Sequence, residues 1–594
     1  MSYRVRVLLL AACAVSAAAQ GPPFWRPVVM GTSGMVAAEH PLQALAGLQV
    51  LRDGGNAIDA AVAVFYMTSV VEQHQAGIGG DAFILAYIAK EKRVVFINGT
   101  GWAPKLATRE FYQKLGGIPE AGPYSTEVPG AVGGFDLALK KWGTRELKTL
   151  VAPAIEAARR GHAISHFAAS NHAAAVEKIT PYPSSLQALL KNGKPFEPGD
   201  LFVQPDLART LETLAREGAD SFYRGSVARL TAGFYQKQKG LLSYEDLAGY
   251  RAEEAPPIQT TYKGYDVYQS APNSQGIVLL VSLNILDGFD LPKLGWNSPD
   301  YLHVVTETLK LAFADRDRYI SDPRFVKDMP VEGLLSKAYA AERRKLIRMD
   351  RAIRGVAPPG DPRGGKAVAA GFQIRYEDGP AAAPKTSGGS AGGGETSSFS
   401  IADRFGNLVS VTHSVNATFG SGMVVEGGGY VLNDRMPYFY LEPDNVNALE
   451  PGKRTMHTIN PALAMKDGKP YLAWNTPGGD NQPQAMLQSF LNHAEFGMNV
   501  QQALEAPTVT SASFYSSMFP HKPGERLTVP RVLAERVGAA LAAKGHRLEV
   551  GALQQPYRQQ VTGAGAVKMV RIDPASGVMF GGVSPAKDNY VMGW

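Results

Sequence analysis

At residue 396 the chain changes character, and that change limits what it can fold into more than any bulk property does. Residues 355–395 are dominated by Gly, Pro, Ala and Ser and offer little to pack. Residues 396–402 (TSSFSIA) then alternate polar with apolar, Asp403-Arg404-Phe405-Gly406-Asn407 reads as a turn, and residues 408–414 alternate again. That is a β-hairpin whose first residue is Thr396. A loosely specified segment ending at a strand-initial threonine fits a self-cleavage site. It fits equally a linker that happens to end in a strand. Cutting the Glu395–Thr396 bond would free an α-amine beside a hydroxyl, which together form a complete nucleophile-and-base unit.

The 594 residues are 45% hydrophobic and 19% charged, the composition of an ordinary globular protein with ample core and length for several domains. The net charge of +6 includes Arg4 and Arg6 of the N-terminal segment, and no long basic run or aromatic-interleaved stripe follows. Nucleic-acid binding therefore has no support. Residues 1–19 read as a secretory signal, with those arginines, an apolar core over 7–15 and small residues at Ala17-Ala18-Ala19. The expected location is outside the cytoplasm, in a bacterial periplasm. The alternative is lipid anchoring through Cys13, the only cysteine. Once the leader is gone no disulfide, thiolate metal site or cysteine nucleophile remains. No other segment can span a membrane, since residues 57–71 are too few and carry Asp59.

The N-terminal part alternates helices and strands. Leu42, Leu45, Leu48 and Leu51 mark a helix over 41–53 that stops at Gly54-Gly55. Asn56 caps a second helix reaching about residue 72, and Gly77-Ile78-Gly79-Gly80 turns into a strand over 82–88 and a hairpin to 94–97. Residues 165–345 read as mostly helical, most clearly over 301–318. After the 396 hairpin, helices are expected at 483–496, 500–506 and 532–544, with strands at the end. Sheet-rich segments bracketing a helical middle suit two sheets packed face to face with helices outside.

From about Gly34 to Trp594 the sequence resembles the γ-glutamyltransferase family of N-terminal-nucleophile hydrolases. The segments that carry the resemblance are Glu39-His40-Pro41, residues 54–61 (GGNAIDAA), Gly77-Ile78-Gly79-Gly80, Val128-Pro129-Gly130, Tyr244-Glu245-Asp246-Leu247 and residues 312–316 (AFADR). Phe419-Gly420-Ser421-Gly422, Pro477-Gly478-Gly479 and Gly593-Trp594 follow in the same order. The resemblance implies an αββα four-layer sandwich, made as one precursor and cut between Glu395 and Thr396 into a large subunit (20–395, with 355–395 as its flexible tail) and a small one (396–594). It implies a Thr396 nucleophile that cleaves γ-glutamyl amides such as glutathione through an acyl ester, with water or an amine as acceptor. Gly478 and Gly479 match the oxyanion pair, Ser414 keeps a hydroxyl where the family has a supporting threonine, and Asn416 matches a substrate contact.

The same resemblance exposes departures. Thr100 stands where the family reads the substrate carboxylate with an arginine, and His457-Thr458 replace a serine pair facing that carboxylate. Arg435 and Tyr438 replace the side chains that hold the α-ammonium. Arg435 either turns to solvent or points inward, where it repels an ammonium and, with His457, forms a different anion site. The stretch between Tyr438 and Pro451 is short, so a lid loop is expected to be missing and the site open to water. A non-glutamyl amide substrate with the same mechanism is thus an alternative, and a non-catalytic secreted binding protein is another. Gly388-Gly389-Ser390-Ala391-Gly392 matches the serine-hydrolase elbow but lies in low-complexity sequence rather than between a strand and a helix. No cofactor or metal is called for: the eleven histidines form no H-E-x-x-H.

Overall fold

Among the described residues the two largest sheets have seven strands each and are fully antiparallel, beside a four-stranded and a two-stranded sheet. A computed structural model describes residues 26–382, 385–387, 395–551 and 565–594. The first sheet runs, edge to edge, Tyr590–Gly593, Gly34–Ala38, Glu395–Asp403, Leu408–Asn416, Asp81–Ile88, Arg93–Gly99 and Glu253–Ala255. The second runs Val29–Gly31, Met579–Val583, Lys568–Ile572, Lys469–Asn475, Ala462–Lys466, Tyr265–Gln269 and Ile258–Tyr262. Each sheet therefore combines strands from both sides of residue 395.

Three apolar layers separate the elements. Met35, Phe83, Leu85, Leu463, Val570 and Val583 fill the space between the sheets. Helices Ala57–Val71 and Ala131–Trp142 pack on the outer face of the first sheet, and Leu147–Arg160 packs on Ala57–Val71. Helices Ile277–Leu286 and Gln482–Ala494 pack on the outer face of the second. Pro299–Tyr319 and Arg531–Ala543 extend that layer, the first against Ile277–Leu286 and the second against Pro299–Tyr319 and the strands Arg526–Val529 and Arg547–Gly551. The order is helix, sheet, sheet, helix, the expected αββα sandwich.

This layering explains the alternation after residue 396. Phe399, Ile401, Val409 and Val411 face the helical layer. The polar row faces the other sheet, where Ser400 and Ser410 accept hydrogen bonds from Asn475 Nδ2 at 2.9 Å each. Every residue of the hairpin strands from Thr396 on is buried, and the alternation separates two buried faces rather than core from solvent. Asp403 sets the turn: its Oδ1 accepts from the N–H groups of Phe405 (2.8 Å) and Asn407 (3.0 Å). Its Oδ2 accepts from the Ala57 N–H at 2.7 Å, placing a carboxylate at the N-terminus of the Ala57–Val71 helix. Asn56 and Asp59 form a capping box there.

The 165–345 region is mostly helical, as expected, and it also supplies Glu253–Ala255, Ile258–Tyr262 and Tyr265–Gln269 to the sheets. One expectation is corrected. The 355–395 stretch is not uniformly loose. Residues 357–360 are buried, the Gly360 N–H donates to Asp315 Oδ1 at 2.9 Å, and Arg343 donates to the Pro358 carbonyl at 3.0 Å. Lys385–Ser387 also pairs in parallel with Arg547–Gly551. Cys13, the 1–19 leader and Ser390 lie outside the described residues. Among the described residues no helix is long and apolar enough to cross a membrane.

Candidate active site

Thr396 sits where the hairpin ladder slips. Glu395 pairs with Asn416 and Ser397 with His413, so the single residue Thr396 stands opposite two, Ser414 and Val415, and the bulge lies in the partner strand. Its Oγ1 donates to Ser414 Oγ at 3.1 Å. Ser414 Oγ in turn donates to the Glu395 carbonyl oxygen at 2.7 Å and accepts the Asn416 N–H at 2.7 Å. Ser414 thus uses its donor on the carbonyl of the Glu395–Thr396 bond and its acceptors on the threonine hydroxyl and a backbone amide. A hydroxyl beside a carbonyl already polarised by a hydrogen bond can attack that carbonyl.

Glycines let neighbouring backbone reach this strand end. A Cβ on Gly80 would lie 2.5 Å from the Ser414 carbonyl oxygen, and one on Gly79 only 1.9 Å from that of Val431. Gly478 and Gly479 both have positive φ, 121° and 56°. Gln275 Nε2 donates to the Gly479 carbonyl at 2.9 Å, and Arg316 holds Gln275 Oε1 at 2.8 Å and Asp480 Oδ1 at 2.6 Å. The Gly478-Gly479 turn is thereby braced from the helix that carries Arg316.

Asn416, itself left-handed at φ 84°, joins the nucleophile to the residues expected to read substrate. Its Oδ1 accepts from Tyr438 OH at 2.8 Å and from Arg435 Nη1 at 3.2 Å, and Tyr438 OH lies 3.0 Å from Thr458 Oγ1. Arg435 is 1% exposed, so it points inward, with its guanidinium over the Tyr438 ring. Asp81, the register partner of Ser414, lies 3.6 Å from Arg435 Nε and 3.6 Å from His457 Nε2. Burial lowers the His457 pKa to about 4, with Arg435 adding to the effect, and burial holds Glu127 well above the usual carboxylate range. Arg435 Nε and Nη2, both His457 nitrogens, Asp81 Oδ2 and Glu127 Oε1 are buried without hydrogen-bond partners. Asp81, Glu127 and His457 could offer three ligand atoms within 4.8 Å to a cation, but the Arg435 guanidinium stands against it. Thr100 is not available to a ligand: its hydroxyl donates to Asn98 Oδ1 at 2.6 Å.

A second cluster, absent from the sequence-derived candidates apart from Glu39 as part of a matched segment, borders Thr396. Glu39 Oε2 meets Lys568 Nζ at 2.6 Å and accepts the Ser398 N–H at 3.2 Å, while Oε1 meets Lys587 Nζ at 2.7 Å. Lys587 Nζ also reaches the Thr396 carbonyl at 3.2 Å and Glu395 Oε2 at 3.3 Å. Glu72 accepts from Ser397 Oγ at 2.9 Å and Gln43 Nε2 at 2.6 Å. Burial, and then Glu39, raise the Glu72 pKa to about 8.

In the uncut chain Thr396 is 2% exposed, and the 516–521 segment reaches the site at Met518, whose Sδ lies 3.9 Å from Asn416 Nδ2. Ser517 N–H donates to Asp480 Oδ2 at 3.0 Å, Phe519 N–H donates to the Pro437 carbonyl at 2.6 Å, and His521 stacks on Tyr440 with ring centroids 3.6 Å apart.

The sequence matches the gamma-glutamyltranspeptidase family over residues 44–594. It is 33% identical to the glutathione hydrolase-like YwrD proenzyme of Bacillus subtilis, over 95% of this chain and 99% of that one. It is 35% identical to the glutathione hydrolase proenzyme of Escherichia coli, over 85% of this chain and 86% of that one. The crystal structure of cephalosporin acylase from Bacillus halodurans superposes with a TM-score of 0.84 at 34% identity, covering 97% and 98% of the two chains. The sandwich, the threonine at its slipped register and these likenesses agree: this chain is an enzyme of the γ-glutamyltranspeptidase family, with the N-terminal-nucleophile hydrolase fold.

Proposed function

We propose that the chain is a self-processing amidohydrolase and acyltransferase, secreted by its leader, that cuts its own Glu395–Thr396 bond and then turns over through an acyl ester on Thr396. In the uncut chain Thr396 Oγ1 attacks the Glu395 carbonyl carbon while Ser414 hydrogen-bonds the carbonyl oxygen. The C–N bond breaks as its nitrogen takes the hydroxyl proton, and water then releases the Glu395 carboxylate from the ester. Thr396 is left with a free α-amine as its own base. In turnover the hydroxyl attacks a substrate amide, the Gly478 and Gly479 amides receive the oxyanion, and the amine leaving group departs with the proton. The observation that carries this reading is the hydrogen-bond chain from Thr396 Oγ1 through Ser414 Oγ to the Glu395 carbonyl.

The substrates proposed first are γ-glutamyl amides, glutathione among them, in keeping with relatives named glutathione hydrolases. A second reading is favoured by Arg435. The guanidinium is buried at the position that the family resemblance assigns to the α-ammonium grip, and two of its nitrogens make no hydrogen bond. An acyl group with a terminal carboxylate and no ammonium suits that position better. The test is kcat/KM of the processed enzyme for γ-glutamyl-p-nitroanilide and glutaryl-p-nitroanilide, with and without an amine acceptor. Thr396-dependent turnover of the first supports the γ-glutamyl reading. A tenfold or greater preference for the second supports the other. Failure of both to acylate Thr396 contradicts the proposal.

A further inference from the structure

Far from Thr396 along the chain, three buried side chains bring metal-ligand atoms together. His303 and Glu307 lie four residues apart on one face of the Pro299–Tyr319 helix. His546 follows the Arg531–Ala543 helix and closes the triangle. The three ligand atoms lie within 4.8 Å of one another. His303 Nε2 hydrogen-bonds the Arg348 carbonyl at 2.7 Å, so that nitrogen carries the proton and Nδ1 presents its lone pair to His546 Nε2, 2.8 Å away. A carbonyl on the distal imidazole nitrogen is the support that metal-bound histidines usually have. In that arrangement His546 Nε2 holds its proton toward His303 Nδ1, and ligation by both rings moves that proton to His546 Nδ1. Glu307 Oε2 is fixed by the Ile353 N–H at 2.6 Å, while Oε1 faces Lys310 Nζ at 2.8 Å. Lys310 also donates to the Ile353 carbonyl at 2.7 Å, a partner it keeps if a cation takes Oε1. A small polar cleft lined by Lys310, Glu377, Glu525, His546 and Arg547 borders the cluster on its His546 side.

We propose that His303, Glu307 and His546 bind one divalent transition-metal ion, with zinc the best fit to two imidazoles, one carboxylate and a solvent ligand from the cleft. The ion takes no part in turnover. It joins residues 303 and 307 to residue 546, which lie on opposite sides of the Glu395–Thr396 bond, and so fastens the large fragment to the small one once that bond is cut. The metal site itself does not depend on the cleavage.

The test uses the purified full-length protein as it matures, stripped with chelator and titrated with zinc chloride or cobalt chloride alone. Wild type is expected to take up one ion per chain, to show the visible absorption of four-coordinate cobalt and to gain melting temperature with zinc. Glu307→Gln and His546→Gln are each expected to lose at least tenfold in affinity without loss of Thr396-dependent turnover. Uptake below one equivalent, a six-coordinate cobalt spectrum, or variants that bind as tightly as wild type would each overturn the proposal. If a variant does not fold, the wild-type stoichiometry and cobalt spectrum decide by the same criteria.

Discussion

Two buried charged clusters border the same strand end, and they differ in how completely they are partnered. Around Glu39, both lysines meet the carboxylate, Glu72 accepts from two side chains that hold it in place, and a single oxygen, Glu39 Oε1, has an ion pair without a hydrogen bond. Around Arg435, six nitrogens and oxygens on four residues lack any hydrogen-bond partner. Burying ionic groups costs several kcal/mol per ion in either place. A completed cluster recovers that cost through its own contacts and acts as scaffold for the strand carrying Thr396. An incomplete one leaves it to be recovered by something that enters, water or substrate. The difference marks which polar burial supports the site and which reads a ligand.

The comparison breaks first at Glu39. Glu39→Gln leaves the buried Lys568 ammonium without its counter-ion and takes one of two carboxylates from Lys587, and chemical denaturation should show a loss of about 3–5 kcal/mol. A loss below about 1 kcal/mol would deny the cluster its scaffold role. Ser414→Ala removes the donor to the Glu395 carbonyl, and time courses on denaturing gels should show self-cleavage slowed by on the order of a hundredfold or more. Ser414→Thr should restore it, and an unchanged rate in the alanine variant would remove Ser414 from the mechanism. In the incomplete cluster, Arg435→Gln should alter stability by less than about 1 kcal/mol, yet shift the glutaryl-to-γ-glutamyl preference about tenfold toward γ-glutamyl, or about 1.4 kcal/mol. A large stability loss with unchanged preference would make Arg435 structural.

The smallest effect is with pH. The folded-state pKa of His457, about 4, lies below the unfolded value of 6.5, so its contribution is complete above pH 6.5 and is lost as pH falls toward 4. Between pH 6.5 and 5.5 this amounts to about 1 kcal/mol, and His457→Gln should flatten the acid side of the stability profile by that amount.

What the sequence made legible was local. The 396 hairpin, the Asn56 cap and the 301–318 helix follow from alternation, capping chemistry and helical spacing, signals that lie within a few residues of one another. The strands Ile258–Tyr262 and Tyr265–Gln269 carry the same alternation around Lys263-Gly264, a signal the surrounding helical pattern obscured. The packing of 357–360 was not legible from composition, because backbone carbonyls and amides make it, through Arg343 and Asp315. At the site, Thr396, Ser414, Asn416, Tyr438 and Thr458 do lie in one connected network, and Arg435 turned inward. The Glu39–Lys568 pair joins residues 529 positions apart, and neither periodicity nor spacing can reveal such a contact. Thr100 stands at the position the resemblance marks, but its hydroxyl is taken by Asn98, two residues away.

The account rests on Thr396 becoming an amino terminus, and intact-mass analysis of purified wild type beside Thr396→Ala tests that most directly. Wild type should resolve into fragments of about 40 and 20 kDa, the smaller beginning at Thr396 and gaining one acyl group when trapped during turnover, and the alanine variant should remain one polypeptide without activity. A wild-type chain that turns over substrate while uncut, or an acyl group carried on any other residue, would contradict it.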